Sequence, residues 1–252
     1  MVRLSDIVEF SDELLSVSNF KDYCPNGLQV EGNLTVKKVV SGVTASQALI
    51  NGAIELNADL LLVHHGFFWR GEKEAIVGLK KKRIHALLQN NISLLAYHLP
   101  LDAHKLCGNN AQLVERLSLR SVASFGGENS DIGLIAEVKS PVTAQDFSAR
   151  LQCVLGRQPT HLSAFENKEI KTLAICSGGA QSYFESAIAA GVDAFITGEV
   201  SEQSFHLALE SGVDFFAAGH HATERYGVQS LGELLAEKFS LEYEYLDINN
   251  PI

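Results

Sequence analysis

Histidines and carboxylates that could bind metal ions follow three apolar runs of the chain. His64 and His65 close the first run, His98 follows the second, and Gly219–Glu224 follows the third. Each run is typical of a buried strand in a parallel sheet. Ligands collect at the carboxyl ends of such strands in open α/β sheets, so we expect these side chains to surround one site.

The residue types predict a site for two divalent metal ions. Histidine with aspartate or glutamate is a nitrogen and oxygen ligand set that suits zinc, iron, manganese or nickel. His64 and His65 are adjacent, and at the end of a strand each imidazole could bind a different ion. Asp102 lies shortly after His98 and could donate one carboxylate oxygen to each ion. We therefore expect Asp102 to bridge the two ions.

The segment after the third run supplies a histidine and a glutamate. His220 and Glu224 are four residues apart, so they share one face if a helix begins there. His221 and Glu224 are three residues apart and meet the same condition. The spacing alone therefore leaves both histidines open as the partner of Glu224.

An internal repeat organises the chain. Segment 39–65 matches segment 173–199 after a shift of 134 positions, and Asp59 matches Asp193 within it. Each copy continues with a helix and a third strand, so each predicts strand–helix–strand–helix–strand with crossover helices. The predicted fold is α/β, with two pseudo-repeated halves and largely parallel sheets.

The repeat also predicts where the ligands lie. His65 aligns with Glu199, and His98 aligns with His220, so each half presents polar groups at its strand ends. A cleft between the halves could gather both sets, and we expect the metal site there. We place the first half at residues 1–121 and the second at residues 122–252, which includes a connecting β-α segment at 122–167.

Composition limits the classes of function. The chain has 46% hydrophobic and 20% charged residues, which is typical of a globular protein. A net charge of −10 argues against broad binding to nucleic acid or to anionic membranes. The basic cluster Lys80–Arg83 is typical of a solvated helix face. Four cysteines without a CxxC pair, no membrane-spanning run and no secretion core predict a cytoplasmic protein with reduced thiols.

Several motifs together resemble the YbgI/Nif-three-like family, whose members are often labelled GTP cyclohydrolase I type 2 homologues. The motifs are Cys24–Val30, His64–Gly66, Leu101–Asp102, Ile196–Glu199 and Gly219–Glu224. The resemblance covers essentially the whole chain. It implies a dinuclear metal centre between two α/β halves and a ring-shaped homohexamer built from dimers.

The resemblance also implies a ligand set. Matched position by position, the family's metal ligands fall on His64, His65, Asp102, His220 and Glu224. This match favours His220 over His221. It also implies that His98 lies close to the metals and faces the substrate or a ligand, rather than binding an ion itself.

Two functions fit these residues. The first is a metal-dependent hydrolase of a small nucleotide-like or heterocyclic substrate, since two ions roughly 3.5–4 Å apart can activate water at neutral pH. His98 or Glu199 would then transfer protons, because each follows a strand end near the site. The second is a metal-binding protein without turnover, such as a metal carrier or a ring-shaped assembly, because the same five side chains can build a closed site.

Two further motifs leave alternatives open. Ser177–Ala180 follows a strand, so its backbone N–H groups could cradle an anion, or the segment could be a tight strand-to-helix turn. Trp69 and Arg70 follow the paired histidines. They could stack on and pair with a nucleotide-like substrate, or form an exposed loop pair.

Overall fold

The computed structural model describes residues 1–127, 130–166 and 168–252, so three positions of the predicted connecting segment lie outside it. The chain forms two compact units, each made of discontinuous segments. The first unit contains residues 1–101 and 227–249, and the second contains residues 102–226 and 250–252.

Strands and helices alternate along most of the chain. The strands are β1 (Val2–Arg3), β2 (Gly27–Val30), β3 (Thr35–Val36), β4 (Lys38–Thr44), β5 (Leu60–His65), β6 (Ser93–Ala96), β7 (Leu119–Gly127), β8 (Ser130–Thr143), β9 (Thr160–Leu162), β10 (Glu169–Ile175), β11 (Ala194–Thr197), β12 (Asp214–Ala217) and β13 (Glu242–Tyr245). The helices are α1 (Leu4–Leu14), α2 (Gln47–Glu55), α3 (Gly78–Gln89), α4 (Leu99–Ala103), α5 (Asn109–Arg116), α6 (Ala144–Leu155), α7 (Phe184–Ala189), α8 (Glu202–Ser211) and α9 (His220–Phe239). Short 3₁₀ turns occupy Val17–Asn19 and Gln181–Tyr183.

The first unit is built on a five-stranded sheet in the order β13-β4-β5-β6-β2. β13, β4, β5 and β6 run parallel, and β2 is antiparallel to β6. The sequence explains this arrangement, because β5 begins with the continuous apolar run Leu60–Val63, which is fully buried. A strand without alternation is covered on both faces, as a parallel sheet flanked by helices requires.

The second unit contains a mixed six-stranded sheet in the order β7-β8-β10-β11-β12-β9. β10, β11 and β12 run parallel, whereas the β7–β8, β8–β10 and β12–β9 pairs are antiparallel. The predicted α/β fold is confirmed, and the first unit has the largely parallel sheet expected. The second unit differs because the connecting segment adds β8 and β9 on opposite sides of the three duplicated strands.

The compact units differ from the continuous halves that the repeat suggested. Residues 102–121 belong to the second unit, where α5 packs against β7 and β8. Residues 227–249 return to the first unit, where β13 pairs in parallel with β4. The packed units therefore combine segments that are far apart in the chain. A repeat marks the duplicated strands, but not the path that the chain takes between them.

Equivalent aspartates show the duplication in atomic detail. Oδ2 of Asp59 accepts the backbone N–H groups of residues 37 and 38 at 2.8 and 3.1 Å. Oδ2 of Asp193 accepts those of residues 171 and 172, both at 2.9 Å. Donors and acceptors are related by the same shift of 134 positions. In both copies the aspartate before the second strand therefore accepts equivalent hydrogen bonds from the backbone in or next to the first strand.

None of the described helices is long and apolar enough to cross a membrane.

Candidate metal centre

His64 and His65 are the last two residues of β5. In each ring, Nδ1 contacts a residue at the end of a neighbouring strand. His64 is fully buried, and its Nδ1 lies 2.8 Å from the backbone carbonyl oxygen of Tyr97. Because a carbonyl can only accept, Nδ1 carries the proton and the lone pair is on Nε2. Nδ1 of His65 lies 3.1 Å from the hydroxyl of Thr44. Such contacts fix the orientation of metal-binding imidazoles.

His98 joins these two histidines within the first unit. Its ring centre lies 5.1 Å from that of His64 and 5.7 Å from that of His65. One ligand atom from each of the three rings lies within 4.8 Å of the others. Neutral imidazoles at this spacing could bind one divalent ion together. The structure thus brings His98 close to the paired histidines, as the resemblance implied, and its geometry also suits a ligand.

A buried carboxylate holds His98 in place. Oδ1 of Asp22 lies 2.7 Å from Nδ1 of His98, and Oδ2 accepts the backbone N–H of Leu99 at 2.9 Å. Burial alone would raise the pKa of Asp22, but the hydrogen bond and charge of His98 outweigh it and lower the pKa to about 2. Ionised Asp22 therefore accepts from Nδ1, which leaves Nε2 of His98 to act as base or ligand.

Asn26, in the Cys24–Val30 motif, helps to hold His98 and Asp22 in place. Its Oδ1 accepts the backbone N–H of His98 at 2.7 Å, and its Nδ2 donates to Oδ2 of Asp22 at 2.9 Å. The sequence analysis did not single out Asp22, and it included Asn26 only as part of the Cys24–Val30 motif. The available signal was the position of Asp22 two residues before this motif, which already marked the family resemblance.

Cys24 lies beside Asp22 and His98, and these three side chains could also surround an ion. Burial, together with the negative charge of Asp22, raises the pKa of the Cys24 thiol to about 12. Without a metal the thiol is therefore protonated, and an ion would have to displace that proton to bind it. The ligand set implied by the family resemblance does not include Cys24.

Trp69 packs beside the histidines of the first unit. Its ring centre lies 4.9 Å from that of His98 and 5.9 Å from that of His65. Nη2 of Arg70 donates to the backbone carbonyl of Asp22 at 3.2 Å. Trp69 is therefore placed to contact a substrate beside these histidines. Arg70 instead stabilises the loop that contains Asp22 through its hydrogen bond.

In the second unit, His220 and Glu224 form the first turn of α9. Nε2 of His220 lies 3.1 Å from Oε2 of Glu224, and its Nδ1 lies 2.6 Å from Oε1 of Glu199. The contact with Glu224 is made by His220, which was one of the two histidines left open by the spacing. Glu199 lies behind the imidazole, as carboxylates commonly do behind metal-binding histidines.

The two carboxylates set the protonation of His220. Burial alone would lower its pKa, but the hydrogen bonds and charges of Glu224 and Glu199 outweigh this effect and raise the pKa to about 9. A cation is therefore favoured between these carboxylates. A divalent metal ion at Nε2 would replace the proton there, because a metal binds the neutral imidazole.

Asp102 is buried near Glu224 in the same unit. Its Oδ1 accepts hydrogen bonds from Nδ2 of Asn109 at 2.8 Å and from Oγ of Ser177 at 3.1 Å. One carboxylate oxygen of Asp102 lies within 4.8 Å of one of Glu224. Burial and these two charges raise the pKa of Cys176 well above its usual range. Buried carboxylates this close repel each other unless positive charge lies near them.

The Ser177–Ala180 segment is a tight turn in which the N–H groups of Ser177, Gly178 and Ala180 donate to side chains. Oδ1 of Asn110 accepts the N–H of Ser177 at 2.9 Å, and Oγ1 of Thr223 accepts that of Gly178 at 3.0 Å. Oγ1 of Thr197 accepts the N–H of Ala180 at 3.2 Å. The turn therefore positions Ser177 beside Asp102, and these hydrogen bonds favour the tight turn over the anion cradle.

Gly178→Ala is expected to displace Glu224 and to weaken divalent metal binding. Gly178 has φ +68°, and an added Cβ would overlap Oε1 of Glu224 and lie 3.3 Å from Nε2 of His220. Gly191→Ala is the matched control, because Gly191 has φ +71° and open space around its Cβ position. Both variants should lose roughly 1–2 kcal/mol of stability from the left-handed backbone. Only Gly178→Ala should lose metal in elemental analysis, and equal metal content in both would contradict this role of Gly178.

Each unit therefore gathers part of the predicted site. His64, His65 and His98 lie together in the first unit. Asp102, His220 and Glu224 lie together in the second unit, and Glu199 contacts His220 there. The residues whose positioning roles the sequence analysis did not predict are Asp22, Asn109, Ser177 and Thr223.

Comparisons with known proteins agree on one family. A family model described as Duf34/NIF3 (NGG1p interacting factor 3) matches residues 2–251. A Pseudomonas aeruginosa protein named GTP cyclohydrolase 1 type 2 homolog is 50% identical over 251 residues, which are 99% of each chain. A Haemophilus influenzae protein of the same name is 50% identical over 248 residues, which are 98% of each chain.

Solved structures show the same fold over the full length. The protein ybgI, described as of unknown function, has a TM-score of 0.94 and 45% identity, with 100% of both chains covered. TTHA1606 from Thermus thermophilus has a TM-score of 0.89 and 33% identity, again with 100% of both chains covered.

Proposed function

Because the chain belongs to the Duf34/NIF3 family, we propose that it binds two divalent metal ions as the centre of a hydrolase. The ligands would be His64 and His65 of the first unit with Asp102, His220 and Glu224 of the second. Iron, manganese, zinc and nickel all suit this set of nitrogen and oxygen donors.

The observation that carries the proposal is the buried pair of carboxylates in the second unit. Asp102 is 5% exposed and Glu224 is 3% exposed, and they lie within 4.8 Å of each other. Buried carboxylates are stable when they are paired or bind a metal. His220, which contacts Glu224, supplies a nitrogen ligand beside them. This donor set fits a divalent ion.

The histidines of the first unit support the same proposal through their protonation. The carbonyl of Tyr97 keeps the proton of His64 on Nδ1, so Nε2 presents its lone pair without first losing a proton. His64 and His65 are adjacent, and their ring centres are 4.6 Å apart. Two imidazoles in this arrangement can serve two neighbouring ions.

The reaction we propose is hydrolysis of a small nucleotide-like or heterocyclic substrate. Bound ions would polarise the scissile bond and lower the pKa of water. His98, fixed through Nδ1 by Asp22, would exchange a proton with the substrate through Nε2. Glu199 would orient His220 through the 2.6 Å contact with its Nδ1, in place of the proton transfer expected from sequence.

The name of the relatives, GTP cyclohydrolase 1 type 2 homolog, does not by itself identify the substrate of this chain. A cyclohydrolase centre with a cysteine-bound zinc needs a thiolate. Burial raises the pKa of Cys24 and of Cys107 to about 12, and that of Cys176 still further. These thiols are protonated without a metal, whereas His64 already presents a lone pair, so we assign the proposed centre to histidine and carboxylate ligands.

Elemental analysis of tag-free protein tests the proposal. Wild type should contain two equivalents of divalent metal per chain, and His64→Ala should lose at least one. His206→Ala is the matched control, because His206 is an exposed histidine on α8 that contacts Glu202. Metal-free wild type, or equal metal content in both variants, would contradict the proposal. A metal-loaded protein that turns over no member of a nucleotide and heterocycle panel would favour the alternative of a non-catalytic metal carrier.

We further propose a closed homo-oligomer, with six chains as the expected number. The family resemblance is the basis for this number, and a net charge of −10 per chain would keep such assemblies apart in solution. Light scattering coupled to size exclusion should give a mass near six chains. A mass near one chain would contradict the assembly while leaving the metal proposal standing.

A further inference from the structure

Two lysines, a histidine and two amide residues are among those that line a groove between α2 and α3 of the first unit, where their aliphatic stems form much of the surface. Its volume is about 770 Å³. The residues that line it are Gln47, Asn51, Gly78, Lys81, Lys82 and His85. None of these six is acidic, although the whole chain carries a net charge of −10. The groove is therefore a local exception to the charge of the protein.

The charge on α3 is not balanced within the helix. Four consecutive residues, Lys80–Arg83, are basic, and α3 contains no acidic residue. Nζ of Lys80 lies 3.4 Å from the carboxylate of Glu72 and 4.7 Å from the ring centre of Phe68. Lys81 and Lys82 are exposed. Like charges on one helix repel each other, and an anionic ligand in the groove would relieve that repulsion.

The groove lies at the same edge of the sheet as the paired histidines. α2 begins at Gln47, three residues after β4 ends, and α3 begins at Gly78, after a loop at 66–77 that follows β5. Both helices connect the carboxyl end of one parallel strand to the start of the next. Thr44, at the end of β4, contacts Nδ1 of His65 at 3.1 Å, and Gln47 is three residues further along the chain. Ligands of open α/β sheets bind at this edge.

We propose that this groove binds the phosphate groups of a small polyphosphorylated molecule. Lysine ammonium groups attract phosphate as point charges, and amide N–H groups add hydrogen bonds. Nε2 of Gln47 donates to Oδ1 of Asn51 at 2.9 Å, which holds both amides side by side. The negative charge of the whole chain opposes a long nucleic acid, so a small anion is the favoured ligand. The groove does not require the metal ions of the proposed function.

Titration calorimetry with inorganic tripolyphosphate tests the groove. Wild type should bind one tripolyphosphate per chain. Lys81→Glu/Lys82→Glu should weaken binding at least about ten-fold, since each reversal turns an attraction into a repulsion. Lys139→Glu/Lys171→Glu is the matched control, because it changes the charge equally at exposed lysines of the second unit. Undetectable binding to wild type, or equal weakening in both variants, would overturn the proposal.

Two further arms separate this site from the metal centre and from nucleic acid. Tripolyphosphate chelates metals, so metal ions could bind it instead of the groove. His64→Ala is expected to lose metal, and if the groove is the site this variant should bind tripolyphosphate as tightly as wild type does. Loss of binding in His64→Ala would overturn the groove and assign the anion to the metals. Metal content should be the same in wild type and Lys81→Glu/Lys82→Glu, so failure of one proposal is distinguishable from failure of the other. A twenty-nucleotide RNA that binds more tightly than tripolyphosphate would overturn the assignment to a small ligand.

Discussion

Asp102→Ala is expected to abolish binding at both metal positions. Hydrogen bonds from Asn109 and Ser177, at 2.8 and 3.1 Å, hold Oδ1 of Asp102, and Glu224 lies within 4.8 Å. A carboxylate held in this way can serve two ions. Its loss should lower affinity at both by more than about 100-fold, since even residues that only orient a ligand contribute 10- to 100-fold. Elemental analysis should therefore find little metal in the variant.

Asp102→Asn is the matched control for folding. Asparagine keeps an acceptor oxygen for Asn109 and Ser177 but carries no charge. Because one of two neighbouring buried carboxylates is removed, metal-free Asp102→Asn should melt no lower than metal-free wild type. Added metal should then raise the melting temperature of wild type and not that of the variant. Two full equivalents in either variant would contradict the bridging role, and loss of one equivalent would assign Asp102 to a single ion.

The strand ends that carry the site could be predicted from the sequence. Apolar residues mark each buried strand, and polar residues that could bind a metal mark the point where it ends. The apolar run Leu60–Val63 predicts a buried parallel strand, and the polar pair His64 and His65 marks where it ends. The spacing of His220 and Glu224 predicts one helical face, which α9 provides. The match of Asp59 with Asp193 predicts a duplicated structure, and both side chains fasten equivalent strands.

The orienting residues could not be predicted because their partners are distant in sequence. Asp22 contacts His98 across 76 positions, and Ser177 contacts Asp102 across 75. Polar residues of these types are common in loops, so their identity carries no signal until the fold brings them beside a histidine or carboxylate. The position of β13 in the first unit could not be predicted either. Its pairing partner, β4, lies about 200 residues earlier in the chain.

His98→Gln is expected to keep both metal ions and to lose most of the activity on a substrate identified with metal-loaded protein. Nδ1 of His98 lies 2.7 Å from Oδ1 of Asp22, so proton exchange with the substrate falls to Nε2. Imidazole exchanges protons near neutral pH, whereas the glutamine amide does not. Loss of a general acid or base lowers the rate by about 10²- to 10⁴-fold. Turnover and metal content should be measured on the same preparation.

Metal content decides between the two roles that the geometry allows His98. Its ligand atom lies within 4.8 Å of those of His64 and His65, so it could bind an ion. Asp22→Asn should lower activity and keep both metals if Asp22 positions a proton-transfer group. Asp12→Asn is the matched control, because Asp12 accepts from the Tyr97 hydroxyl at 2.7 Å in the same unit. Loss of one metal equivalent in His98→Gln would make His98 a sixth ligand, and water would then have one position fewer at the metals.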